Sequence, residues 1–157
     1  MAQRRVSRRK KGSNRRRKAV TLLAKAHQTV RRQRQDFHHK TALALVRRND
    51  TIYHENLQTA TMVKNHLAKS ISDAGWAAFL SILSFKAACA GREVVAVNPA
   101  YTSQTCSGCG VIVSKGLSVR WHSCPDCGAS LHRDHNAARN IERAGQALRR
   151  GVALAAS

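Results

Sequence analysis

No apolar run in this sequence approaches the roughly 20 residues of a membrane span, and no apolar segment follows the basic amino terminus as it does in a secretory signal. The sequence thus offers no route out of the cytoplasm, and a cytoplasmic location, on the nucleoid if the source is bacterial, is expected. Aromatic residues make up only 4% of the chain, so base stacking cannot dominate binding as it does in single-strand platforms. Acidic residues are scarce as well: eight Asp and Glu stand against 28 Lys and Arg, for a formal net charge of +20. A field of that sign draws polyanions, and phosphate backbones are the commonest in a cell. The basic run lacks the large apolar face of an interfacial helix, which favours nucleic acid over an anionic membrane.

The charge is uneven. Residues 1–50 hold 17 Lys and Arg against Asp36 and Asp50, and the remaining 11 basic residues face six acids. Residues 1–18 are low in complexity, have little to bury and are expected to be disordered unless bound. The cations nominated for nucleic-acid contact are Arg4, Arg5, Arg8, Arg9, Lys10, Lys11, Arg15, Arg16, Arg17, Lys18, Arg31, Arg32 and Arg34. Composition predicts one long helix over 19–48, free of Gly and Pro, with an apolar stripe through Leu23, Val30, Phe37 and Ala44. The alternate seam positions, Ala26, Gln33 and Lys40, argue against a coiled coil. A strand is expected over 51–57. A second helix is expected from Ser72 to about Ala90, with the stripe Trp76, Phe79, Leu80, Leu83 and Ala87, and then a buried strand over 92–98. A last helix is expected from Asp134 to about Leu148, with Ala137, Ala138, Ile141 and Leu148 inward. Strands alternating with helices imply parallel pairing and an α/β class.

Four of the five cysteines form two Cys-x-x-Cys-Gly turns, Cys106–Cys109 and Cys124–Cys127, with 14 residues between the pairs. Two such turns at hairpin distance complete a tetrahedral four-sulfur site, which suits Zn(II) in a closed, structural role. Each trailing glycine fits a turn that needs positive φ. Two disulfides, an iron–sulfur cluster and a redox dithiol are the other readings. Cys89 reads as an inert buried thiol. His122, His132 and His135 read as surface or phosphate-contacting groups, and Trp121 as packed on the ribbon.

The cysteine pairs followed by His132-Arg133-Asp134-His135-Asn136-Ala137-Ala138-Arg139-Asn140-Ile141 resemble the carboxy-terminal signature of the OrfB/TnpB proteins of insertion sequences. The blocks Met62–Trp76, Gly91–Val95 and Pro99–Cys106, and the stretch through Asp36-Phe37-His38-His39-Lys40, are similar to further family blocks in the same order. The resemblance implies the carboxy-terminal two-fifths of an RNA-guided DNA endonuclease. The division it implies is a basic segment over 1–18, a RuvC-like part of RNase H-like fold over 19–100, an inserted zinc ribbon over 101–133, a final RuvC-like helix over 134–148 and a tail over 149–157. It implies a catalytic trio. Glu55, in Glu55-Asn56-Leu57 where the family has Glu-Asp-Leu, matches the second acid, and Asp134 matches the third. Position 132 is His where many members carry Asp.

The first acid of the trio belongs on a strand upstream of the long helix, and neither Asp36 nor Asp50 occupies such a place. The resemblance therefore implies Mg(II)-dependent phosphodiester hydrolysis, with DNA and a guide RNA as partners, in the complete protein. The 157 residues alone are expected not to cleave. The alternative is an inactive zinc-ribbon protein that binds DNA or RNA.

Overall fold

The computed structural model describes residues 2–57, 75–116 and 118–155. The expected helix start at Ser72 and most of the Met62–Trp76 block lie outside them. Helix α1 spans Ala2–Ser7 and α2 spans Asn14–Arg48. They are followed by strand β1 (Thr51–Glu55), helix α3 (Trp76–Cys89) and strand β2 (Glu93–Val97). Strands β3 (Trp121–Ser123) and β4 (Ser130–His132) then lead into helix α4 (Arg133–Ala155).

The basic amino-terminal stretch is helical on both sides of a short turn. Ser13 caps α2, its hydroxyl accepting from the Arg16 N–H at 3.3 Å, so the helix begins five residues earlier than composition suggests. Arginine and lysine are good helix formers. Helix α1 folds back on α2 and buries Val6 and Ala19. The Arg16 guanidinium holds this corner by donating to the carbonyls of Arg9 (3.3 Å) and Val6 (3.5 Å).

The apolar stripe expected along α2 is not its packing face. Phe37 is 64% exposed, Val30 is exposed, and the buried residues are Ala19, His38, Ala42 and Val46. A seven-residue spacing drifts about 20° per repeat around a 3.6-residue helix, whereas 38, 42 and 46 recur every four. Ala42 and Val46 join Leu83 and Ala87 of α3 in the core, and Leu45, Ile52, Phe79, Leu80, Ile82 and Val94 pack around them. The His38 ring meets Phe79 edge-on at 5.6 Å. Gly75, at φ 63°, sits beneath His38, where a Cβ would come within 3.1 Å of Cε1. Cys89 is exposed rather than buried, because it lies two residues past Ala87 and off the Leu83–Ala87 face.

Strands β1 and β2 pair in parallel, with Thr51 opposite Glu93 and Glu55 opposite Val97. The connection between them contains α3, as alternating elements require. Helix α4 lies against both strands. Its buried positions are Asn136 and Gly145. Ala137, Asn140 and Ile141 are half-buried, and Ala138 and Leu148 are exposed. At Gly145 the helix approaches the Tyr53 ring so closely that a Cβ would stand 2.5 Å from Cε1 and 2.7 Å from Cγ. One turn on, Arg149 pairs with Glu93 at 2.7 Å. Its guanidinium pKa is raised first by a hydrogen bond with Tyr53 and then by the Glu93 charge. No helix among the described residues is long and apolar enough to cross a membrane.

Candidate functional site

Two tight turns carry the cysteines. Cys106 N–H donates to the Val111 carbonyl (2.8 Å) and Gly110 N–H donates back to Cys106 (2.9 Å). In the second turn Cys124 N–H donates to Ala129 (2.9 Å) and Gly128 N–H to Cys124 (3.1 Å). Gly110 and Gly128 have φ of 84° and 71°, the left-handed geometry such a turn needs. The β3–β4 hairpin, with His122 opposite Leu131, carries the second turn at its tip.

All four sulfurs lie within 4.8 Å of one another. Cys106 Sγ is 3.6 Å from Cys127 Sγ, and Cys109 Sγ is 3.5 Å from Cys124 Sγ. A tetrahedron with metal–sulfur bonds of about 2.3 Å has edges of about 3.8 Å. The nearest sulfurs therefore come from different turns, at about the spacing a shared cation imposes, and well beyond the ~2.05 Å of a disulfide. The cluster can hold a metal ion.

Its acid–base chemistry agrees. The Cys106 thiol is drawn down to about 5, chiefly by the Cys109 backbone N–H; burial opposes this, and His122, the Gly108 N–H and Cys127 assist. The Cys109 thiol moves the other way, up to about 12. The Val111 N–H pulls it down, but Cys124, burial, Cys127 and Cys106 outweigh that pull. The Cys106 thiolate forms readily and Cys109 then resists ionising. A cation at the centre removes the conflict, because coordination deprotonates thiols outright.

His122 is fully buried, not a surface group. Its Nδ1 contacts Lys115 Nζ, and its Nε2 has no hydrogen-bond partner among the described residues. Burial lowers the Lys115 pKa, and the Arg133 charge lowers it further. His132 and His135 are exposed, as expected. Trp121 packs on the hairpin: its Nε1 donates to Ser130 Oγ at 2.7 Å and its ring meets His132 edge-on at 6.3 Å.

Helix α4 grips the first turn through side chains that the pattern of apolar residues does not reveal. Asn136, fully buried, accepts from Ser107 N–H (2.8 Å) and donates to the Thr105 carbonyl (2.7 Å). Asn140 donates to Thr105 (2.7 Å) and Thr102 (2.9 Å), and Arg143 to Ser107 (2.8 Å). Their sequence signal is a polar row at i, i+4 and i+7 on one helix face.

Thr102 extends the network to the sheet. Its hydroxyl stands 2.5 Å from Glu55 Oε1 and 3.1 Å from the Pro99 carbonyl. Glu55 closes β1 and is half-buried. Asp134 lies in the first turn of α4, 68% exposed, beside His132 Nδ1 (3.7 Å) and Arg133 Nε (3.9 Å). Glu55 and Asp134 therefore stand at the ends of two elements that pack together, β1 and α4. Of the other early acids, Asp36 pairs with Lys40 at 2.7 Å and Asp50 with Arg92. The nominated cations line α1, the turn after it and α2; all are exposed except Arg16 and Arg34, which are half-buried.

Residues 1–66 match the family model described as "Probable transposase", and residues 76–141 match the "Cas12f1-like, TNB domain" model. Over 149 residues the chain is 45% identical to a Streptomyces pristinaespiralis protein named "Putative RNA-guided DNA endonuclease", which covers 93% of this chain and 37% of that one. It is 33% identical over 163 residues to InsQ of Escherichia coli K12, which bears the same description, covering 93% of this chain and 40% of the relative. Among solved structures, the Cas12f1–sgRNA–target DNA complex matches with a TM-score of 0.58 over 78% of this chain and 36% of that one; at 24% identity the likeness is one of fold. The chain thus spans about two-fifths of the length of the two relatives it matches.

Proposed function

Since the chain belongs to the OrfB/TnpB family of transposon-encoded proteins, we propose that it forms the nuclease and metal-binding portion of an RNA-guided DNA endonuclease. The observation that carries the reading is the placement of two carboxylates. Glu55 sits at the carboxyl end of a parallel strand, where ligands of open α/β sheets gather. Asp134 opens the helix packed on that strand. In this reading the β1–α3–β2–α4 body is RNase H-like, and residues 101–133 are a structural zinc ribbon held by Cys106, Cys109, Cys124 and Cys127. The endonuclease descriptions of the relatives favour this over an inactive binding protein.

Phosphodiester hydrolysis adds water to phosphorus and releases one sugar oxygen, which takes up a proton. Glu55 and Asp134 offer hard oxygen donors of the kind Mg(II) prefers. Bound there, that ion would make water more acidic and offset the charge that builds on the leaving oxygen. The chain's own contribution is positioning. Thr102 steadies Glu55 by a hydrogen bond, and Asn136 and Asn140 tie α4, and with it Asp134, to the segment that carries Thr102. In this reading neither Asp36, paired with Lys40, nor Asp50, paired with Arg92, supplies the first carboxylate of the trio. The arginines and lysines of 1–34 would hold the phosphate backbone of DNA, or of the guide RNA in the complete protein.

The test is magnesium-dependent cleavage of a guide-matched duplex by the complete protein with its RNA. Glu55→Gln and Asp134→Asn should each abolish cleavage while guide and target binding persist. Undiminished cleavage by either variant refutes the assignment.

A further inference from the structure

We infer that Tyr101 is a nucleobase-stacking residue that holds one base of a single DNA strand beside Glu55. The inference rests on the DNA-cleaving reading above and adds to it a specific contact. Tyr101 has φ 60°, and it is the one non-glycine residue with positive φ among those described. Bulky side chains are strained there and glycine is not. The turn accounts for the backbone: the Tyr101 carbonyl accepts from Gln104 N–H (2.9 Å) and Thr105 N–H (2.8 Å). It does not account for the ring. Tyr101 is 63% exposed, so its side chain does not build the core. Strain of this kind, kept where glycine would relieve it, is a mark of functional positions.

The location says what the ring could serve. Strands β1 and β2 end together at Glu55 and Val97, and the chain leaving β2 turns at Pro99 and reaches Thr102, which contacts Glu55 Oε1. The ring therefore projects from the residue next to the one that steadies the carboxylate. An exposed aromatic face accepts any base by stacking, provided the base is unpaired. Trp121, the other exposed aromatic near the cysteine turns, is already bonded to Ser130 and packed on His132.

The experiment uses the 157-residue chain and an oligothymidylate strand carrying one 5-iodouracil, irradiated and mapped by peptide mass spectrometry. Affinity is measured alongside at the highest salt that leaves binding detectable, so that phosphate contacts are suppressed. The expected crosslink is to Tyr101. Tyr101→Gly should unfold at no lower temperature than wild type yet bind about tenfold more weakly, and Tyr101→Phe should bind within about twofold of wild type. Unchanged affinity of Tyr101→Gly, with crosslinks elsewhere, overturns the stacking contact alone. A Tyr101→Gly variant that unfolds early makes the ring structural and also overturns it. A Tyr101-dependent preference for the matching RNA strand overturns the assignment to DNA. A wild-type chain that binds no strand at all overturns the underlying reading with it.

Discussion

Gly145→Ala sets two effects of opposite sign against each other. In an ordinary helix interior, alanine is about 1 kcal/mol better than glycine. Here the new Cβ would stand 2.5 Å from Tyr53 Cε1 and 2.7 Å from Cγ, and closer still to Cδ1. A ring is rigid, so relief requires α4 to move away from β1. Overpacking of this kind costs about 1–3 kcal/mol, and the depth of the overlap places it at the upper end. The net effect is a loss of about 2 kcal/mol, or a fall in Tm of about 4–8 °C for a chain of this size. The overlap also joins the two elements that carry Glu55 and Asp134, so the same shift should disturb their spacing. Thermal unfolding of the single variants and of the Tyr53→Ala/Gly145→Ala double variant is the assay. With Tyr53 removed, Gly145→Ala should become neutral or stabilising. A Gly145→Ala variant that melts above wild type while Tyr53 is present refutes the packing argument.

Three further outcomes follow from the site. Cys124→Ser should abolish retention of zinc and unfold residues 101–133 first, because binding to a structural site is also folding energy; elemental analysis and hydrogen exchange read both. Asn136→Ala leaves the Ser107 N–H without its buried acceptor, while the Thr105 carbonyl keeps Asn140, at a cost of about 1–3 kcal/mol by chemical denaturation. If about six phosphates are neutralised, log K for duplex DNA should fall with log salt at a slope near −5, and deletion of residues 1–18 should flatten that slope without altering zinc content.

The alternation of strands and helices was legible because each element carries its own period, and β1 and β2 pair in parallel as it predicted. The four cysteines were legible because a thiol cluster needs only local spacing to form. What escaped the sequence reading depends on tertiary partners. Asn136 and Asn140 look like surface residues until the carbonyls of 102–105 are placed beside them. His122 lies inward because it faces Leu131 across a two-strand hairpin with one buried side. In α2, the heptad count picked the wrong face because only its carboxy-terminal half meets α3, through Ala42 and Val46. Composition alone makes residues 1–18 a segment that is disordered unless bound. The Ser13 cap and the burial of Val6 and Ala19 are enough to order it as helix.

The central claim is that Glu55 and Asp134 hold a common cation. Mn(II) binding to the zinc-loaded chain, counted by electron paramagnetic resonance, measures it through a double-mutant cycle. Glu55→Gln and Asp134→Asn should each weaken the same site about tenfold or more, and the double variant should be no weaker than the worse single one, since partners at one site are not additive. Losses that simply add, or a Mn(II) affinity indifferent to either carboxylate, would contradict the account.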